Sequence, residues 1–513
     1  MTNTQTSATV ETVTAHVTDH MEAQVEAGTP GVALLDDGRL FIGGQWREAA
    51  EGRRRDVVDP STGSVVGTVA EGDAADVDSA VAAARAAFDT GPWRGMSGRE
   101  RARILHRVAD LIRENADELV RLESLDVGKP VSLCLPVDVM TAAEVYEYYS
   151  GLAQSVEGAT RDTPLNAFAY TRREPLGVVG AITPFNFPLI LSSSKIAPAL
   201  AAGNVVVHKP ADDTPLSALF MARLFAQAGV PDGVVNVVTG AGAVAGEALL
   251  RHPGVDKIAF TGSTAIGRHA AAVAGEALTP VTMELGGNAA QIVFEDADVE
   301  KAVGSVIKAF VFNTGQFCMG GPRLLVARPL YDTFVEILGQ AVPGVPVGDP
   351  RRPETVVGPM AAERHLAKVE DYVAQAVLDG GRVVCGGERL DLNGGFYYKP
   401  TVIADLANDS RVVQEEIFGP VLTVQPFDTE DEAVAMANST PYGLASGIQT
   451  TDLARAHRVA ARLDAGIVWV NDWAMLDPAV PFGGVKSSGF GREYGPEGLA
   501  AYTRDKSVVI SLD

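Results

Sequence analysis

The 513-residue sequence predicts an α/β protein: a doubly wound parallel sheet, a second α/β unit and a small β arm. Three observations lead there. Between residues 177 and 260, short apolar β-rich runs alternate with helical patterns over brief connections. The second half repeats that alternation less strictly. The chain is also too long for one core, so two or three domains are expected.

Taken in order, residues 1–30 are rich in Thr, Ala and Glu and read as an N-terminal extension. Residues 41–46 read as a strand and turn, and 59–63 as a further turn. Residues 74–90 and 98–125 carry helical spacing; in the second, Ile104, Val108, Leu111 and Ile112 share a face. Residues 143–160, with Tyr146, Tyr148 and Tyr149, read as an exposed or subunit-facing segment. Then come strand 177–182, helix 188–202, strand 205–207 and helix 215–229, the last with Pro at its start and Gly at its end. Strand 234–238, helix 241–251 and strand 257–260 follow. Ligands bind such sheets at the carboxyl ends of the strands, so loops 183–188, 209–213 and 261–267 should open on one edge. Further on, 291–294, 324–327, 421–425 and 466–470 read as strands, and 297–311 and 361–379 as helices. The β-prone tail 507–512 is expected to pair with another element or another subunit.

Composition narrows the function. With 46% hydrophobic and 21% charged residues, the chain is that of an ordinary globular protein. The net charge, 42 − 65 = −23, opposes binding to nucleic acid or anionic membranes. No Lys or Arg precedes Arg39, so neither a secretory nor a mitochondrial signal is expected. The sequence has no uninterrupted run of 18 apolar residues, so no membrane span is expected. Three cysteines, Cys134, Cys318 and Cys385, make no disulfide framework and point to a reducing cytoplasm. The eight histidines are scattered without zinc spacing, so no metal is expected.

Several stretches could carry chemistry. Cys318 lies between small, turn-forming residues, and Gly315, Gly320 and Gly321 would let a substrate or backbone come close to it. A lone cysteine is otherwise a small buried hydrophobe. Gly262 to Gly267 follows a strand and opens a helix, a place for phosphate or a plain loop. Lys209 and Asp212 could hold ribose hydroxyls, with the carboxylate repelling a 2′-phosphate, or could be a solvated charge pair. In loop 183–188 two prolines flank Asn186, which could donate to an oxyanion or satisfy loop backbone. Glu284, in apolar company beside Gly286 and Gly287, suits a general base or a buried partner for a lysine. Glu416 could bind sugar hydroxyls, and Phe418 could pack on a ring.

In this order, Glu284, Cys318, Glu416 with Phe418, and Pro481-Phe482-Gly483-Gly484 resemble the NAD(P)-dependent aldehyde dehydrogenase superfamily, over about residue 40 to the end. The resemblance implies Cys318 as nucleophile, Glu284 as general base and Asn186 with the Cys318 backbone N–H as oxyanion hole. Lys195 and Glu493 resemble residues proposed to relay a proton. NAD, with NADP possible, would be held by Thr183, Pro184, Phe185, Lys209, Asp212, Gly262, Ser263, Gly267, Leu285, Glu416 and Phe418. It further implies an NAD-binding domain over 31–150 and 174–287, a catalytic domain over 288–487 and oligomerisation segments over 151–173 and 488–513, in a homodimer or homotetramer. The chain departs from the family's common pattern in places. Phe185 replaces a frequent Trp, Gly320 and Pro322 stand for Ala and Ser, Asp212 stands for a longer Glu, and Ser194 replaces an aromatic that narrows the substrate tunnel. The pocket wall of Phe187, Leu191, Ser194, Phe317, Met319, Trp473, Leu476 and Phe482 suggests a medium or bulky apolar or aromatic aldehyde. Glu284 favours water as acyl acceptor; the alternatives are a CoA-acylating dehydrogenase and a cysteine esterase or hydrolase.

Overall fold

In the computed structural model, which describes residues 38–513, five parallel strands form the centre of the first sheet. In spatial order they are Val235–Val237, Val205–Lys209, Val178–Ile182, Lys257–Thr261 and Val281–Glu284. Counted along the chain, that order is 3-2-1-4-5, the doubly wound arrangement. Every residue of the Val178–Ile182, Val205–Lys209 and Lys257–Thr261 strands is buried. Strands covered on both faces read as continuous apolar runs, which is why the sequence locates them within about two residues.

Both edges of this sheet are closed by distant pieces of chain. Leu40–Ile42 and Gln45–Arg47 form a hairpin across Gly43 and Gly44, whose φ values of 61° and 78° suit a two-residue turn. The hairpin pairs with Val235–Val237 through Phe41 and Val237. At the other edge Gly489–Phe490 runs antiparallel to Val281–Glu284. That pair therefore belongs to the first sheet, although sequence grouped residues 488–513 as one oligomerisation segment.

The second sheet has seven strands in the order Arg382–Cys385, Thr401–Ala404, Val421–Phe427, Arg323–Ala327, Ala290–Val293, Ala445–Gln449 and Ile467–Val470. All its pairs are parallel except the first. A short connection from Glu284 to Ala290 carries the chain between the sheets. Its glycines are sterically required. A Cβ at Gly286 would lie 2.2 Å from a Glu416 carboxylate oxygen, and one at Gly287 would lie 2.2 Å from the Cys318 carbonyl oxygen. The seam between the sheets thus brings three candidate residues together.

A third sheet of Thr160–Arg161, Ala167–Pro175 and Thr503–Ser511 forms the arm. The β-prone tail pairs within its own chain, from Thr503 opposite Pro175 to Ser511 opposite Ala167.

Some expectations change. The helix expected over 98–125 is two, Gly98–Glu114 and Ala116–Val127, parted at Asn115, whose side chain turns back to the Leu111 carbonyl. Much of the segment read as exposed is helix Met140–Leu152, with Tyr146 and Tyr149 fully buried. Tyr146 meets Phe225 edge-on at 5.9 Å, so its ring is core. Residues 241–251 begin as a π-turn, Gly242–Gly246, before helix Glu247–Arg251. The hairpin Arg54–Asp59/Ser64–Ala70, helix Arg328–Ala341 and strand Ala445–Gln449 were not foreseen. The extension expected over 1–30 lies outside the described residues.

Candidate active site

Strand order in the first sheet reverses between Val178–Ile182 and Lys257–Thr261, and loops 183–188 and 261–267 leave on either side of that point. A cavity of about 150 Å³ opens there. Pro184, Phe185, Asn186, Gly262, Ser263 and Leu285 line it from the first sheet, and Cys318, Glu416 and Phe418 from the second. Ser263 caps helix Thr264–Glu276, its hydroxyl accepting from the Ile266 N–H. At Gly267 a Cβ would lie 2.2 Å from the Leu285 side chain, so glycine sets the close packing of helix on strand. Thr183 is buried, 2.9 Å from the His208 ring.

Two lining residues had escaped sequence reasoning. His365 and Lys368, one turn apart on helix Glu363–Leu378, face the cavity. His365 stacks on Phe185 at 4.3 Å, and Phe418 meets Phe185 edge-on at 5.8 Å. Burial, with Arg364 nearby, pulls the His365 pKa down to about 4, so the ring is neutral at pH 7, and its buried Nε2 has no partner among the described residues. The only sequence signal was the i, i+3 pairing of two polar residues, which helical surfaces show everywhere. Lys368 donates to the Glu416 carbonyl at 3.1 Å. The Glu416 carboxylate accepts from the Gly287 N–H at 2.9 Å, and burial pushes its pKa up to about 7.

Lys209 and Asp212 stand outside that cavity wall. They pair at 3.0 Å beside the glycines of the Gly242–Gly246 turn. Burial lowers the Lys209 pKa; it would raise that of Asp212, but Lys209, with Arg55 and a backbone N–H, offsets this and holds the carboxyl low.

Cys318 follows helix Val299–Val311 and the turn Phe312–Gly315. Asn313, Thr314 and Gly315 occupy left-handed backbone, at φ 48°, 57° and 68°. Such residues cost on the order of 1–2 kcal/mol when not glycine, so their surroundings must hold them. They do: the Asn313 amide donates to the Asn186 carbonyl at 2.9 Å and the Gln316 carbonyl at 3.2 Å. Thr314 donates to the Gly358 carbonyl, and the Gln316 side chain accepts from the Ala361 N–H. The Asn186 amide donates in turn to the Gln316 carbonyl at 2.9 Å, which fixes one Nδ2 hydrogen and aims the other elsewhere. The glycines near the sulfur serve packing more than access. A Cβ at Gly315 would meet the Gly419 carbonyl, and one at Gly321 would meet the Gln291 side chain. The half-buried Cys318 thiol has its pKa pushed up to about 12 by burial, then by Glu416 and Glu284, against the backbone N–H groups of Met319 and Cys318.

Glu284 ends its strand 3% exposed, with neither carboxylate oxygen in a close hydrogen bond among the described residues and the Gly484 N–H helping to hold its charge. Gly483 makes room for it, since a Cβ there would lie 2.8 Å from Oε1. Burial and the Glu493 charge raise its pKa well above the usual carboxylate value; Lys195 and Arg492 oppose the rise. Beside it lies a hydrogen-bonded ion pair. The Lys195 ammonium donates to Glu493 and to Thr261, both at 2.6 Å. Ser194 donates to the other Glu493 oxygen at 2.8 Å. Ser194 is fully buried in this network and is not in the wall of the cavity beside Cys318.

Of the other expected pocket residues, Leu191 lines the cavity. Phe187, Phe312 and Phe317 form an aromatic cluster with centroids 5.1–6.2 Å apart. Trp473 is fixed by donating to the Met319 carbonyl at 3.0 Å. Phe482 meets Tyr494 edge-on. Leu476 is exposed, as are neighbouring Met475 and Val480.

Comparison with known proteins agrees with this geometry. The model of the family described as the aldehyde dehydrogenase family matches residues 46–508. An aldehyde dehydrogenase from Bacillus cereus, solved as an NAD+ complex, is 42% identical, with 96% of this chain and 99% of that one covered at a TM-score of 0.92. A betaine aldehyde dehydrogenase from Staphylococcus aureus, also with NAD+, is 38% identical over 93% of this chain and 96% of that one, again at 0.92. PnpE from Pseudomonas sp. WBC-3 is 43% identical over 93% and 98%, at 0.91. A match of that extent, joined to the seam geometry around Cys318, means that the chain belongs to the aldehyde dehydrogenase family.

Proposed function

We propose that the protein oxidises an aldehyde to the carboxylic acid, with NAD as hydride acceptor and Cys318 as covalent nucleophile. The observation that carries this reading is that a half-buried thiol and a buried carboxylate act on each other at one seam, the carboxylate making no close side-chain hydrogen bond among the described residues. The cavity at the switch point would take one end of a dinucleotide, with the His365 Nε2, the Glu416 carboxylate and the Phe418 ring in its wall. Lys209, Asp212 and the Gly262-Ser263 turn extend that site along the strand ends. Bound there, NAD supplies the acceptor for the hydride leaving the substrate carbon. Asp212 disfavours a 2′-phosphate by charge, which supports NAD over NADP.

The chain's own groups do the rest. Cys318 loses its thiol proton to solvent, and the thiolate forms a C–S bond to the aldehyde carbon as the carbonyl π pair moves onto oxygen. The free Nδ2–H of Asn186 and the Cys318 backbone N–H hold the resulting oxyanion. After oxidation the acyl group is a thioester on Cys318. Glu284, once ionised, takes a proton from water; hydroxide adds to the thioester, the C–S bond breaks and the acid leaves. Lys195 and Glu493 carry that proton onward. The buried Glu284 carboxylate supports water over CoA as the acyl acceptor, and the Cys318 segment contains no histidine such as a cysteine hydrolase uses.

A base works only when ionised, so the hydrolysis-limited rate should rise with pH through the Glu284 pKa. The Lys195 cation favours the ionised form. Lys195→Gln should therefore move that rise to higher pH; a profile unmoved or moved to lower pH contradicts the relay.

Phe187, Leu191, Phe317, Met319, Trp473, Leu476 and Phe482 supply no cation for a substrate carboxylate. Benzaldehyde and hexanal should exceed succinate semialdehyde in kcat/KM, and NAD should exceed NADP; preference for the semialdehyde would contradict the apolar pocket. Residues 31–150 and 174–287 would serve as cofactor domain and 288–487 as catalytic domain. The arm exposes Phe168, Val509, Ile510 and Leu512, which supports its role in a homodimer or homotetramer. A monomeric mass by light scattering would refute that role.

A further inference from the structure

Away from that site, a hollow of about 460 Å³ opens between the start of helix Gly98–Glu114, the end of helix Pro188–Ala201 and the base of the arm. Its wall carries Arg94, Arg99, Arg101, Arg172 and Arg173 against one carboxylate, Glu174. In a chain of net charge −23 this reverses the local sign. The nearby acids are already engaged. Glu174 pairs with Lys506 at 2.6 Å, and Asp505 lies 3.6 Å from Arg173. Arg94, Arg99, Arg101 and Arg172 make no ion pair among the described residues.

Arg101 points most clearly to a missing anion. It is only 8% exposed, and its guanidinium donates to two carbonyls, Ala201 at 3.1 Å through Nε and Met96 through Nη1. A guanidinium stays charged when buried, and the carboxylate that acts on it, exposed Glu100, is not paired with it but held by Ser97. Its Nη2 has no protein partner among the described residues. Gly98 and Arg99, in the first turn of helix Gly98–Glu114, stand in the same wall, where the helix dipole also favours negative charge.

We propose that this hollow binds a small, multiply charged oxyanion of the phosphate-ester class, with buried Arg101 at its floor and exposed Arg99 and Arg172 at its rim. Guanidinium forks match phosphate oxygens in pairs. The volume exceeds that of phosphate alone and falls within the range of small-molecule sites. No aromatic ring lines it to stack a base, so the organic part is compact and polar.

The test uses the full chain with saturating NAD, inorganic pyrophosphate as probe and sodium chloride at matched ionic strength as control. Calorimetry should show saturable binding of one pyrophosphate per chain. The double variant R99A/R172A alters only exposed side chains and should bind about tenfold more weakly or worse, with unchanged aldehyde oxidation. Absence of saturable binding would overturn the proposal. So would equal binding by the variant, which places the anion elsewhere. A wild type that binds nothing, and whose oligomeric mass falls in the variant, would show the hollow covered by a second copy and overturn it too.

Discussion

Cys318→Ala is expected to lower aldehyde oxidation by at least roughly 10⁴-fold, as removal of a covalent nucleophile does in other enzymes. Neither remaining cysteine can replace it. Cys134 is fully buried, its sulfur 3.6 Å from the Lys129 carbonyl. Cys385 ends an edge strand of the second sheet. Alanine keeps the Cβ and the backbone that Asn313, Gln316 and Asn186 hold, so the cavity should survive. Binding of NAD, read by fluorescence titration, should change less than about twofold, because the sulfur forms only one part of that wall. Residual turnover within tenfold of wild type would assign the chemistry to another group.

Glu284→Gln is expected to separate the two halves of the reaction. The amide occupies the same space beside Gly483, so the Lys195–Glu493 pair should persist. Acylation should still give a burst of about one reduced cofactor per active site, while steady turnover falls about 10²–10⁴-fold for want of a base. Loss of both burst and turnover would move Glu284 to the first step. Full steady turnover restored by added CoA would favour the acylating alternative over hydrolysis.

Four of the five parallel strands of the first sheet are legible because burial writes them as continuous apolar runs, and the loops after them follow from topology; the fifth, Val281–Glu284, is not read as a strand. Cys318, Glu284 and Asn186 were legible as isolated residues with alternatives, and their order along the chain carried the resemblance. Contacts set by the third dimension were not legible. Ser194 reads as an opening in a tunnel, yet it meets Glu493, 299 residues away. Gly489 reads as part of the tail, yet it pairs with Glu284. His365 and Lys368 sit on a helix whose sequence marks only its buried face. Tyr146 and Tyr149 read as surface because tyrosine occurs at interfaces as readily as in cores.

The most direct test of the covalent account is the intact mass of Glu284→Gln, acid-quenched after mixing with NAD and one aldehyde. The account predicts a mass increase equal to the aldehyde less two hydrogens, mapped by peptide digestion to Cys318 and released by hydroxylamine. A protein that remains unmodified during the burst, or an acyl group mapped to another residue, would contradict it.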